Sequence, residues 1–158
     1  MKIIIDSREQ SPLIFPQEFV TETPVECLPC GDYGCQFERG YQVPAIFERK
    51  SIPDLFSTLT QGHERFDREI TRAKDLGIKL ILAIEGSIAQ VSWGTPYSQM
   101  KGSSILKIVF TLWVKHDLMP VFCADRNDMS NFIYEYYCAI GRKAQADLKE
   151  KRGKKLKV

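Results

Sequence analysis

Apolar and polar positions along the chain change rhythm near Ser51. Before it lie short runs rich in β-branched residues. KIIID at Lys2–Asp6 reads as a buried strand. From Pro16 to Lys50 strand-like pieces are punctuated by Pro24, Pro29, Gly31, Gly40 and Pro44, the pattern of a meander or hairpin. Beyond Ser51 the spacing becomes helical. Ser51 can cap a helix with Pro53 in its first turn and Ile52, Leu55, Phe56 and Leu59 on one face. A second helix follows from His63, with Phe66, Ile70 and Ala73 aligned and Gly77 as its stop. Ile78–Gly86 reads as a fully buried strand, and a loop then runs to about Lys101. An amphipathic helix opened by Ser103 or Ser104, a short strand from Met119 and a long helix from Asn127 to about Lys151 complete the chain. Strands first, then alternating helices and strands, predict an α/β fold: a mixed β-sheet flanked by helices on both faces.

With 158 residues, 44% hydrophobic and 27% charged, the chain matches one globular domain with a real core. No apolar run reaches the roughly 20 residues of a membrane-spanning helix. The N-terminus turns charged too soon for a signal peptide. A cytoplasmic location with five reduced cysteines is the resulting expectation. The net charge of +2 conceals an asymmetry. Arg142–Val158 holds eight Lys/Arg against two Asp/Glu, while the remaining body holds 14 basic and 18 acidic residues. An acidic body suits a cation site, and a basic end suits a polyanion contact or simple solvation.

Three acidic positions stand out by placement. Asp6 ends the first strand, Asp32 follows Gly31 in a turn, and Glu48 lies two residues before Lys50 at the end of the last strand before the helical half. Strand alternation points Glu48 and Lys50 to one face and Arg49 to the other. Two carboxylates from adjacent strands beside an ammonium group can hold a hard divalent cation such as Mg²⁺. The lysine can then orient or deprotonate a water, or offset phosphate charge. A lone E-x-K at a strand end is usually surface decoration. The coincidence of three such junctions argues against that here.

These residues also carry a family resemblance. DSRE at Asp6–Glu9, GDY at Gly31–Tyr33 and ERKSIPD at Glu48–Asp54 resemble the nuclease domain of the XPF/Mus-type structure-specific endonucleases, a branch of the restriction-endonuclease-like PD-(D/E)XK superfamily. ERFDRE at Glu64–Glu69 and LILAIEG at Leu80–Gly86 extend the likeness to about Ala144. The resemblance implies a restriction-endonuclease-like fold for residues 1–144, with 145–158 as a basic, flexible tail. It implies Asp32 and Glu48 as the main ligands of Mg²⁺ or Mn²⁺, with Asp6 as a ligand or water-orienting acid. Lys50 would be the catalytic lysine, and Arg8, Glu9, Arg49 and Asp54 would complete the site. Arg8, Arg49 and Arg65 would contact nucleic-acid phosphate.

The implied activity is metal-dependent hydrolysis of DNA at branched, flap or fork structures in repair, recombination or replication. The alternative is a catalytically silent DNA-binding or scaffold subunit, and action mainly on RNA is a third reading. Tandem helix-hairpin-helix motifs usual in cellular members have no counterpart after Ala144, which would suit a phage or mobile-element source. Other features have milder readings. Cys27, Cys30 and Cys35 are small residues of buried strands before they are zinc ligands, and His63 is a solvated helix-start residue. The Phe132, Tyr136 and Ile140 stripe, widened by Tyr134 and Tyr137, is core, shared in part with a homodimer or another protein partner. The Trp93–Ser104 loop either closes over DNA or connects.

Overall fold

The structure, a computed structural model, describes the backbone of residues 1–155 except Gln17 and Phe19, and the side chains through Asp147 except also Arg39. Its elements in chain order are β1 (Lys2–Asp6), β2 (Val25–Glu26), β3 (Tyr33–Gln36), β4 (Ala45–Ser51), α1 (Ile52–Thr60), α2 (His63–Asp75), β5 (Lys79–Glu85), α3 (Ile88–Trp93), α4 (Gly102–His116), β6 (Met119–Cys123) and α5 (Arg126–Lys155). The strands form one mixed sheet in the order β2-β1-β3-β4-β5-β6. β3 runs antiparallel to both β1 and β4, while β4, β5 and β6 run parallel. The C-terminal ends of β1, β4, β5 and β6 therefore meet the N-terminal end of β3 at one edge. That edge carries every junction singled out above.

Alternation along β4 and β5 sorts the core into two layers. Ala45, Phe47, Ile81 and Ala83 face α5, whereas Ile46, Leu80, Leu82 and Ile84 face α1, α2 and α4. The two faces are thus both covered by helices, as the alternating pattern predicts. On the α5 side the Phe47 ring meets Phe132, Tyr136 and Tyr137 edge-on at centroid distances of 6.2, 5.2 and 5.6 Å. The buried Tyr137 hydroxyl shares its one proton between the carbonyls of Tyr33 and Ala45, at 2.9 and 3.0 Å, tying α5 to the β3–β4 pair. Much of the aromatic stripe is accordingly spent inside the chain. On the other side, Ser51 caps α1 by accepting from the Asp54 amide, and Pro53 sits in the first turn.

The expected loop after β5 contains a helix, α3. Six residues give too few turns for a legible apolar period, but Ser87 and Gln90 form a complete capping box that marks it. α4 starts at Gly102 rather than at a serine cap. A Cβ on Gly102 would stand 2.0 Å from the Val91 carbonyl oxygen, so only glycine lets α4 begin against α3. α5 continues through Lys155, so the backbone of the segment set apart as a tail is helical to that point. Its side chains from Leu148 and all of residues 156–158 lie outside the described residues.

Candidate active site

The Gly31–Asp32 turn is stitched between two strands. The Asp32 amide donates to the Phe47 carbonyl at 2.7 Å, and its own carbonyl accepts from the Asp6 amide at 2.8 Å. The Asp32 carboxylate accepts from the Arg49 amide at 2.7 Å, which fixes it beside the end of β4. Gly31 allows this with φ of +65°, and a Cβ there would lie 2.5 Å from Ile46 Cγ2 and 2.9 Å from the Phe47 carbonyl oxygen. Gly31→Ala is therefore expected to cost about 1–3 kcal/mol from backbone strain alone. At roughly 2–4 °C per kcal/mol, thermal melting should drop by several degrees. An unchanged melting temperature would show that the turn relaxes freely.

Glu48 is 5% exposed and Lys50 is its ion-pair partner on the same strand face. The Lys50 ammonium also lies over the Phe66 ring of α2, 5.9 Å from its centroid. Burial, then the neighbouring Asp32 charge, pushes the Glu48 pKa up to about 7 despite Lys50. Burial likewise pushes Asp32 up to about 6, helped by Glu9 and Glu69 and opposed by the Arg49 amide and Lys50. For Lys50, burial disfavours the charge, but Glu48, Asp32 and Glu69 more than offset it and the net shift is upward. The buried Glu48 and half-buried Asp32 are both held above the usual carboxylate range by desolvation, with the Asp32 charge adding to the rise at Glu48. They form a site short of positive charge, and a hard divalent cation with oxygen preference fits it. Among the described residues no three His, Cys, Asp or Glu side chains gather closely enough to hold a metal ion by themselves. A cation at Asp32 and Glu48 would therefore draw further oxygens from water or substrate.

Asp6 is not brought to this pair. It is 1% exposed, yet one oxygen accepts from the Arg8 amide and Nε, and the other from Arg8 and the Leu28 amide. Burial works to raise its pKa, but these bonds outweigh it and hold the carboxyl below the usual aspartate value. The geometry gives Asp6 the task of pinning β1, Arg8 and the 26–28 segment. Asp6→Asn should then destabilise the fold by about 1–3 kcal/mol at neutral pH, because an amide cannot satisfy the same set of donors. A folded pKa below the unfolded one contributes stability above the ordinary value near ~3.9, lost as pH falls through the folded pKa. Urea titrations at pH 7 and below pH 4 should show the wild-type advantage shrinking with acid. An equal advantage at both would contradict the clamp.

The other predicted residues divide. Arg49 points away from Lys50, as alternation requires, and is held by Glu9 at 2.9 and 3.1 Å and by Glu85 at 3.2 Å. Its side chain is 13% exposed, so it organises acids rather than offering a free cation. Glu9 also accepts from the Ser11 amide, and its paired charge lowers its pKa against the effect of burial. Arg8 keeps a 54% exposed side chain at the rim. Arg65 is exposed on α2 and makes no hydrogen bond or ion pair among the described residues. Asp54 is exposed and receives the Ser51 hydroxyl at 2.6 Å, a helix-capping role. His63 is exposed and pairs with Asp67. Cys27 is exposed, while Cys30 and Cys35 are buried with thiols pushed up to about 11 and about 12 by burial.

Sequence reasoning missed Glu69, Phe66 as more than core, and the pair Glu85 and Arg126. Glu69 accepts from the Gly31 amide at 2.9 Å and adds its charge to the Asp32–Glu48 field. The signal was present: an acid three residues after Phe66 on the core stripe of α2. Arg126 donates to the carbonyls of Ser11 and Pro12 at 2.6 and 3.0 Å and reaches Glu85 at 3.5 Å. A contact between residues 115 apart in sequence leaves no local pattern.

The ERCC4 domain family profile matches residues 5–136 of the chain. The fold is similar to that of XPF from Aeropyrum pernix, with a TM-score of 0.68 and 18% identity over 95% of this chain and 69% of that one. XPF from Aeropyrum pernix in complex with DNA is similar with a TM-score of 0.66 and 19% identity, over 90% and 66% of the two chains. No curated protein matches the chain.

Proposed function

The chain belongs to the ERCC4 domain family, and from that premise we propose that it is a Mg²⁺- or Mn²⁺-dependent endonuclease hydrolysing DNA at branched, flap or fork structures. The observation that carries the reading is one sheet edge holding the buried Glu48 and the half-buried Asp32, with the charged Lys50 paired to Glu48. Asp32 and Glu48 would hold the cation. When bound, such a cation supplies Lewis acidity and charge neutralisation at phosphate.

The protein's own groups do the rest. Burial works against the Lys50 charge, but Glu48, Asp32 and Glu69 raise its pKa on balance, so its ammonium is suited to offsetting charge that develops on the phosphate. Glu48 on one side and Phe66 on the other limit the positions that ammonium can take. Arg65, exposed and without a pair among the described residues, and Arg8, paired with Asp6 but exposed at the rim, are the cations placed to meet flanking phosphates. Glu9, Arg49 and Glu85 hold the loop after β1 and the end of β4 in register.

A silent scaffold draws on one observation: Asp6 is committed to Arg8 and Leu28, which leaves two acids rather than three. Cleavage of a panel of blunt duplex, flap, fork and junction DNA decides between the two readings. The nuclease reading expects cuts near branch points with Mg²⁺ or Mn²⁺. Binding of every substrate without any cut would favour the scaffold.

A further inference from the structure

Residues 86 to 116 leave β5 at the edge that carries the Asp32–Glu48 pair, and they include no Asp or Glu. In a chain with 20 acidic residues this stretch holds Lys101, Lys107 and Lys115 and is otherwise rich in serine and threonine. Its start is seated against the site: a Cβ on Gly86 would come within 2.6 Å of Ile52 Cδ1, two residues past Lys50. Its turn, residues 94–101, is held at both ends. Gly94 with φ of +85° swings the chain out of α3, and Gly102 brings α4 into backbone contact with α3.

From this fixed platform Trp93 and Tyr97 project with 81% and 85% of their surfaces exposed, and neither ring packs against another aromatic among the described residues. Large rings left in water, with Lys101 in the same turn and no acid in this stretch of chain, suit a polyanion whose bases are free to stack. Each π face takes an unpaired base of any identity, while lysines meet the backbone. A blunt duplex keeps its bases stacked within itself and offers these rings nothing.

We propose that Trp93 and Tyr97 form a stacking platform for the unpaired nucleotides of a single-stranded DNA arm, placing the branch beside the acid pair. The inference rests on the nuclease reading and adds what selects the substrate. Its test needs no cleavage. Fluorescence anisotropy of 5′-labelled (dT)₂₀ and of a blunt 20-base-pair duplex, with the full chain in EDTA, compares wild type with Trp93→Ala, Tyr97→Ala and Trp93→Phe. Each alanine variant should weaken (dT)₂₀ binding by about five- to a hundredfold. Duplex affinity should change less than twofold, and Trp93→Phe should keep most of the single-strand affinity. Wild-type (dT)₂₀ affinity in both alanine variants overturns the proposal. So does an equal loss for duplex, or a loss of self-association in sedimentation with (dT)₂₀ binding intact. A wild type that cuts branched DNA but does not bind (dT)₂₀ overturns the platform and leaves the nuclease reading standing.

Discussion

Lys50→Ala should slow single-turnover cleavage on the order of a hundredfold or more, roughly 3 kcal/mol of transition-state stabilisation. Lys50 is the cation the fold brings to Glu48, and its charge is fixed by Glu48, Asp32 and Glu69 against the cost of burial. Alanine removes that charge from the point where phosphate negative charge develops. Metal and DNA binding should survive, since Asp32, Glu48, Arg8 and Arg65 remain. Rapid-quench kinetics at saturating enzyme and Mg²⁺ separates the chemical step from binding. A wild-type rate in that experiment would make Lys50 an ordinary ion-pair partner.

Asp32→Asn and Glu48→Gln should each abolish detectable cleavage, because a neutral amide binds Mg²⁺ poorly. Asp32→Asn should leave the fold intact, because an asparagine oxygen can still accept from the Arg49 amide and the Asp32 charge that raises the Glu48 pKa is gone. Its melting temperature is expected to hold while calorimetric Mn²⁺ binding is lost. Glu48→Gln should lose Mn²⁺ binding too, with some loss of stability because it leaves the largely buried Lys50 ammonium without its partner. Undiminished Mn²⁺ binding by both variants would remove these acids from the metal-site reading.

The fold was legible where local pattern and global packing agree. KIIID, AIFERK and KLILAIE alternate or run apolar as interior strands should, and Ser51-Ile52-Pro53 announces its helix. The short helix α3 was hidden by its length, and the start of α4 by a close backbone approach that no propensity encodes. At the site, alternation alone separated Lys50 from Arg49, and the structure keeps them on opposite faces. What alternation could not reveal is how charges pair across the fold. Asp6 lies at the right edge but turns to Arg8 and Leu28, and Arg49 is enclosed by Glu9 and Glu85. Glu69 escaped notice because an acid on a helix's inner stripe reads as an irregularity until the Gly31 amide is seen opposite it.

The most direct test is cleavage of a labelled flap or fork substrate by the wild-type chain, with Mg²⁺, with Mn²⁺, and with either metal plus excess EDTA. The account predicts endonucleolytic products near the branch with each metal and none with EDTA. Products that persist undiminished in EDTA, or intact DNA under every condition while the protein remains bound to it, would contradict a metal-dependent nuclease built on Asp32, Glu48 and Lys50.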